Sequence, residues 1–110
     1  MTTNKAQKSI VQSTKKVDNT ALFETIASLN GTEEIKYFLT DLCTPQELNA
    51  FQERWRIAQL LNIGDLSYRE ISTQTGASTT TVARVARFLN NEPHGGYRLV
   101  LEQENHRTSS

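Results

Sequence analysis

One stretch of this 110-residue chain is best suited to binding another molecule. It combines short hydroxyl and methyl side chains with two arginines. The residues are Thr79, Thr80, Ala83, Arg84 and Arg87. Hydroxyl groups can hydrogen-bond the edges of bases, methyl groups can contact the thymine methyl, and a guanidinium can bind guanine or phosphate. Displayed on one face of a helix, these groups suit the major groove of DNA.

The surrounding residues predict a helix-turn-helix over residues 67–89. Ser67 and Glu70 have the spacing of a capping box at the start of the first helix, and Gly76 allows the left-handed turn that ends it. Ser78 can cap the second helix. Its apolar residues recur at helical spacing, at Val82, Val85 and Leu89. The hydroxyl groups and the arginines are then left on the outer face.

One local feature opposes this interpretation. Residues 79–82 are all β-branched, which lowers helix propensity. The apolar spacing of three and four residues nevertheless favours a helix over a strand. We therefore expect the start of the second helix to fray in the free protein. The simpler alternative is an ordinary pair of amphipathic helices whose arginines are only solvated.

Composition limits the classes of protein. The length, 36% hydrophobic content, two prolines and helical spacing predict one all-α domain. Cys43 is the sole cysteine, which excludes an intramolecular disulfide and a cysteine zinc cluster. We find no secretion signal or membrane-spanning stretch, so a cytoplasmic protein without membrane partners is expected. His94 and His106 lack metal-ligand spacing and no catalytic motif is found, so we expect neither a metal nor an enzyme.

The charges of the chain argue in both directions. The formal net charge is zero, whereas DNA-binding domains are usually basic. The cations are segregated, however, since every lysine lies at or before Lys36 and every arginine lies at or beyond Arg54. Arginine binds phosphate and guanine through two parallel hydrogen bonds, so the better cation accompanies the predicted helix-turn-helix.

The chain divides into a tail, a domain and a second tail. Residues 1–17 have four lysines and no acid, and they predict a disordered basic tail that is either solubilising or an arm that adds affinity for DNA. Residues 18–102 predict a helical domain, and residues 103–110 a polar tail. The other helices of the domain are expected over 18–29, from a cap at Thr32, from a cap at Thr44 to Gly64, and from Tyr97.

The third predicted helix is apolar on too many sides for a monomer. Its first half carries one stripe, at Leu48, Phe51 and Trp55. Beyond Trp55 the apolar residues point in nearly every direction around the axis, which is expected of a helix that is buried on all sides. A single chain of short helices can hardly surround it, so we predict a homodimer.

Residues 42–89 together resemble the tryptophan repressor family. The shared features are the T-P-x-E cap at Thr44, an R-x-R-I sequence before a leucine pair and a glycine, the S-x-R-E opening at Ser67, the Gly76–Ala77 turn, and Thr81 followed by Arg84. By helix order the resemblance extends over residues 18–102. It implies an intertwined all-helical homodimer of about six short helices, in which each helix-turn-helix projects towards one half-site of double-stranded DNA.

The resemblance also implies roles for individual residues. Arg69 would read a base and Tyr68 would touch the DNA backbone. The complete DNA-contacting set would be Tyr68, Arg69, Ser72, Thr79, Thr80, Thr81, Ala83 and Arg84. The residues that would surround a bound tryptophan corepressor are Thr44, Arg54 and Arg84, with the indole between the two arginines.

Three departures alter the implied tryptophan site. The family has glycine, serine and leucine where this chain has Val85, Phe88 and Asp41. Valine and phenylalanine should fill much of the indole slot, because protein interiors are close-packed. Three alternatives stay open: the arginines bind a smaller amino-acid-like effector, they contact DNA phosphate and carboxylates without any corepressor, or tryptophan binds after a shift.

Two functions of different class follow from these patterns. The first is a homodimeric transcriptional regulator, a repressor, that occupies a palindromic operator. In the second, the helix-turn-helix fold serves as a protein-interaction module without specific DNA binding. The zero net charge favours the second function, whereas Arg69, Thr81 and Arg84 favour the first.

Overall fold

The structure, a computed structural model, describes the backbone of residues 21–109 and the side chains of residues 21–105. This part of the chain contains six α-helices and no β-strand, which confirms the all-α fold class. The helices are α1 (Ala21–Ser28), α2 (Gly31–Leu42), α3 (Pro45–Ile63), α4 (Tyr68–Thr75), α5 (Thr79–Asn90) and α6 (Gly96–Ser109). The predicted basic tail over residues 1–17 lies outside the described residues. The described residues fall into two units, which divide between residues 42 and 43.

Capping groups fix both ends of α3 as predicted. The Glu47 backbone N–H donates to Thr44 Oγ1 at 3.1 Å, and the Thr44 N–H donates back to the Glu47 carboxylate at 2.9 Å. Pro45 occupies the first helical position, where no backbone hydrogen bond is lost. Gly64, at a φ of 84°, ends the helix. The capping box predicted from the T-P-x-E sequence is confirmed.

Helices α3 to α6 share one apolar core. Helix α3 packs against α4, α5 and α6, and α5 packs against α4 and α6. The buried cluster consists of Ile57, Ala58, Ile71, Ala77, Val82 and Val85. The rings of Trp55 and Tyr97 stack beside it, with centroids 6.5 Å apart. Because Leu89 is buried as well, the stripe predicted for the second helix of the helix-turn-helix is confirmed.

Helices α1 and α2 bury none of their residues. Their apolar side chains are half-buried or exposed, and Phe23 and Tyr37 are 68% and 65% exposed. The start of α2 differs from the prediction, since the helix begins at Gly31 and Thr32 lies within its first turn. The Asn30 N–H donates to the Glu34 carboxylate at 2.7 Å. An acidic side chain one turn further on thus accepts a backbone N–H at the helix start.

Helix α6 runs to Ser109 and so extends into the residues that the sequence suggested as a polar tail. Among the described side chains of α6, Leu101 is the last one that is buried. Glutamate and glutamine are good helix formers, and residues 102–104 are Glu, Gln and Glu. The helix therefore continues beyond its packing face, where apolar spacing gives no signal. The division into tail, domain and second tail stays a prediction.

Candidate nucleic-acid interface

Helix α4, the first helix of the helix-turn-helix, is fixed at its start by the predicted capping box. The Glu70 N–H donates to Ser67 Oγ at 3.1 Å, and the Ser67 N–H donates to the Glu70 carboxylate at 2.8 Å. The Ser67 backbone N–H, and then its side chain, hold the pKa of Glu70 below its ordinary value. Ile71, which is completely buried, anchors the same helix in the core.

Four hydrogen bonds shape the turn between α4 and α5. Gly76, at a φ of 82°, donates its N–H to the Ser72 carbonyl at 2.9 Å. The Ser72 hydroxyl donates to the Ala77 carbonyl at 2.6 Å. The Thr75 hydroxyl donates to the Ile71 carbonyl at 2.8 Å and accepts the Ala77 N–H at 3.2 Å. The path of the chain into α5 is therefore set by side-chain bonds as well as by the glycine.

Helix α5 begins at the predicted cap. The Thr81 N–H donates to Ser78 Oγ at 3.1 Å. The buried residues Val82, Val85, Ala86 and Leu89 hold the inner face of the helix. The side chains of Thr79, Thr80, Ala83 and Arg84 share the exposed outer face. Residues 79–90 contain two arginines and no carboxylate, so this face is basic in a chain of zero net charge.

The other predicted DNA contacts divide into two groups. Tyr68 and Arg69, at the start of α4, are exposed. Ser72 and Thr81 are half-buried. The Ser72 hydroxyl proton is donated within the turn, and the Thr81 hydroxyl lies 3.1 Å from Ser78 Oγ. Both hydroxyls thus serve the local structure of the helix-turn-helix, a role that sequence reasoning did not assign to them.

Two arginines of α5 lie against the same aromatic ring. The guanidinium carbon of Arg84 is 4.4 Å from the Phe88 ring centroid, and that of Arg87 is 5.4 Å from it. Arg87 also pairs with Glu92, its Nε lying 3.5 Å from the carboxylate. Sequence analysis placed Arg87 on the outer face of the helix and predicted no partner for it. The spacing of Arg84 and Phe88, four residues apart on one helix, was the signal that could have found the stack.

Arg98 is a second arginine whose role the sequence did not reveal. Its guanidinium donates to the Asn62 side chain at 3.2 Å and to the Asn90 side chain at 2.9 Å. The arginine therefore ties the start of α6 to the last turns of α3 and α5. Bonds between residues so far apart in sequence have no local pattern.

The residues implied for a tryptophan site have other contacts here. Thr44 is exposed and caps α3. Arg54 is half-buried, with its guanidinium carbon 5.7 Å from the Phe51 ring centroid. Val85 is only 1% exposed, so its side chain belongs to the core. Phe88 is half-buried beneath Arg84. An aromatic ring of the protein itself thus contacts Arg84.

No helix of the described part is both long enough and apolar enough to cross a membrane. Within residues 21–105, no three histidine, cysteine or acidic side chains are grouped as metal ligands.

Comparisons with known proteins support the resemblance. A family model, the Trp repressor protein, matches residues 18–105. The uncharacterized protein YerC of Bacillus subtilis (strain 168) is 45% identical over 82 residues, which are 74% of this chain and 77% of YerC.

Two solved structures are also similar. A TrpR-like protein from Eubacterium eligens has 36% identity and a TM-score of 0.71, over 77% of this chain and 86% of that one. A candidate Trp repressor from Staphylococcus aureus has 33% identity and a TM-score of 0.72, over 83% and 92% of the two chains. The chain belongs to the Trp repressor family, a family of DNA-binding regulators.

Proposed function

We propose that the protein is a transcriptional repressor that binds a palindromic operator as a homodimer and inserts α5 into the major groove. The outer face of α5 is the observation that carries the proposal. Small hydroxyl and methyl groups and the Arg84 guanidinium are exposed there, on a helix without a carboxylate. Phosphate contacts would supply most of the affinity, and contacts to base edges would select the site.

The exposed residues take different roles in this proposal. Arg69, Thr79 and Thr80 contact base edges, and Ala83 packs against a thymine methyl. Tyr68 and Arg84 contact the phosphate backbone. Ser72 and Thr81 act mainly through the turn and the cap, because their hydroxyls are engaged there. The helix-turn-helix is thereby held in shape before DNA arrives.

The homodimer is proposed from apolar side chains that the chain leaves uncovered. Phe51, Ile63 and Leu99 are 49%, 65% and 59% exposed in the second unit. Phe23 and Tyr37 are more than half exposed in the first. Large exposed apolar groups on several helices are typical of a surface that is buried in an assembly. A second copy of the chain is the partner that we propose for this surface.

For the effector, we propose that DNA binding needs no tryptophan. Val85 is part of the core and Phe88 lies beneath Arg84, so both side chains are engaged within the protein. Making room for an indole would displace close-packed groups. Of the three alternatives for the arginines, contact with DNA without a corepressor is favoured.

A salt titration of DNA binding tests the proposal. The fluorescence anisotropy of a labelled duplex would be measured with the wild-type protein and with three variants: Arg69→Ala, Arg84→Ala and the matched control Arg56→Ala, which removes an exposed arginine of α3. We expect affinity to fall steeply with salt. Arg84→Ala should reduce the slope of log Kd against log salt by about one for each helix-turn-helix, and Arg56→Ala should leave it unchanged.

Other results would point to a different function. If the wild-type protein retained no duplex at low salt, the DNA-binding proposal would be wrong, and the fold would serve as a protein-interaction module. If all three arginine variants lost the same affinity, the interaction would be a diffuse attraction between charges without a defined site.

A further inference from the structure

We infer that Phe88 is a positioning residue for DNA binding, whose ring holds Arg84 and Arg87 as a preformed pair of phosphate-binding cations. The inference rests on the proposed function, since phosphate is the ligand. Phe88 itself makes no contact with DNA in this account. It acts through the two guanidinium groups.

The geometry of the stack is the first support. Both guanidinium carbons lie within 5.4 Å of the ring centroid, inside the range in which a cation is attracted to an aromatic ring. Phe88 is half-buried, and its neighbours Ala86 and Leu89 on the same helix are buried. The ring is therefore held by the protein, while Arg84 and Arg87 are exposed and able to reach solvent.

The charges near the ring provide the second support. Two like charges beside one ring would repel each other, and only Arg87 has a carboxylate partner, Glu92, among the ion pairs of the described side chains. The Arg87–Glu92 contact is 3.5 Å long, and its partners' side chains are 55% and 35% exposed, so it is a weak surface pair. Phosphate groups on DNA would neutralise both cations more completely.

The benefit for binding is entropic. A free arginine side chain has many rotamers, and fixing them on DNA costs free energy. A ring that already restricts both side chains reduces that cost. The sequence places Arg84, Arg87 and Phe88 on the last two turns of α5, so the pair would meet the phosphate backbone next to the bases read by Thr79 and Thr80.

The stack can be tested without DNA. The side-chain proton resonances of Arg84 in free wild-type protein should be shifted upfield by the ring current of the phenyl group. Phe88→Leu removes the ring and should abolish the shift, whereas Phe88→Tyr keeps the ring and should retain it. If Phe88 only packed the helix, the Arg84 resonances would be the same in wild-type protein, Phe88→Tyr and Phe88→Leu. Only the thermal unfolding of Phe88→Leu would then change, and the stack would be wrong.

The role in binding is tested with the same variants and a labelled duplex at fixed salt. We expect Phe88→Leu to raise Kd about two- to fivefold for each helix-turn-helix, and Phe88→Tyr to restore wild-type affinity. In an Arg84→Ala, Arg87→Ala background, Phe88→Leu should have no further effect, because the cations that it positions are gone.

The outcomes separate this inference from the proposed function. If wild-type protein binds the duplex and Phe88→Leu binds equally well, the positioning role is wrong and the proposed function stands. The same conclusion follows if Phe88→Leu weakens the variant without the two arginines as much as it weakens the wild type. If wild-type protein does not bind the duplex, the proposed function is wrong and the inference falls with it.

Discussion

The helix-turn-helix, residues 67–90, and the pair of helices α1 and α2, residues 21–42, are similar in length but are stabilised in different ways. The helix-turn-helix has capped helix starts, a hydrogen-bonded turn and fully buried residues such as Ile71 and Val82. Helices α1 and α2 have apolar stripes but no buried residue. Their charges also differ, since residues 67–90 contain three arginines and one carboxylate, whereas residues 21–42 contain one lysine and four carboxylates.

This difference separates two tasks within one chain. The basic helix-turn-helix completes its core with helices of its own unit, so its binding face can be rigid in a single subunit. The apolar side chains of the acidic pair α1 and α2 are exposed or half-buried, and the partner subunit would cover them in the proposed homodimer. The zero net charge of the chain thus hides a basic and an acidic region, which removes the main argument against DNA binding.

The largest expected effect comes from the core of the helix-turn-helix. Ile71→Ala should lower the free energy of unfolding by about 2–5 kcal/mol, because it removes a fully buried side chain and leaves a cavity. The matched control is Thr73→Ala, at an exposed position of the same helix. Urea unfolding at low protein concentration measures both. Equal losses for the two variants would contradict a core confined to α3–α6.

The second expected effect tests whether α1 packs against a second copy of the chain. Phe23→Glu places a charge where a ring is 68% exposed, and it should weaken self-association about 100-fold, because two symmetry-related rings lose their apolar contacts. Sedimentation equilibrium measures the change. Thr25→Glu adds the same charge at an exposed polar position of α1 and serves as the control. Unchanged association in Phe23→Glu would show that this ring lies outside the dimer interface.

A smaller effect is expected in the turn. Gly76→Ala should cost about 1–2 kcal/mol, because an L-residue is strained at a φ of 82° while the added methyl group meets no atom within 4 Å. Gly96→Ala is the control, since its surroundings are equally open and its φ is not positive. Thermal unfolding of the two variants compares them. A stable Gly76→Ala protein would show that the turn can change conformation freely.

The smallest effect is the pH dependence of the α4 cap. The lowered pKa of Glu70 means that folding favours its charged form. Its contribution to stability is therefore complete above the ordinary glutamate pKa and is lost as pH falls through the lower value of the folded state. Wild-type protein should lose more stability than Glu70→Gln between neutral pH and about pH 3.

Denaturant unfolding at the two pH values measures this difference. Ser67→Ala, which removes the other half of the box, should cost about 1 kcal/mol at neutral pH. Parallel loss of stability in wild-type protein and Glu70→Gln would contradict a role for the carboxylate.

The sequence predicted best those features that depend on neighbouring residues. The caps at Thr44, Ser67 and Ser78 and the glycine stops are local, so residue types at fixed spacing are sufficient to find them. The predicted start of α2 was wrong. The Glu34 carboxylate accepts the Asn30 N–H, so no cap from Thr32 is needed. Helix α6 continues through residues that the sequence suggested as a polar tail, because helix propensity continues after apolar spacing stops.

The candidate site was predicted only in part, because only its local features leave a pattern in the sequence. The exposed face of α5 follows from helical spacing, but the bonds of Arg98 join distant residues and leave no pattern in the sequence. The stack of Arg84 and Arg87 on Phe88 was missed because each arginine was judged alone. The fraying expected at the start of α5 stays a prediction that amide exchange at Thr80 and Val82 can test.

A selection from random-sequence DNA tests the central claim most directly. Purified protein would be mixed with a random duplex pool at moderate salt, with and without added tryptophan, and the retained DNA sequenced. We predict the same two-fold symmetric motif in both pools, and no motif for a variant carrying Arg69→Ala and Arg84→Ala. Retention of DNA without any enriched motif, or no retention at all, would contradict the claim that α4 and α5 read a specific operator.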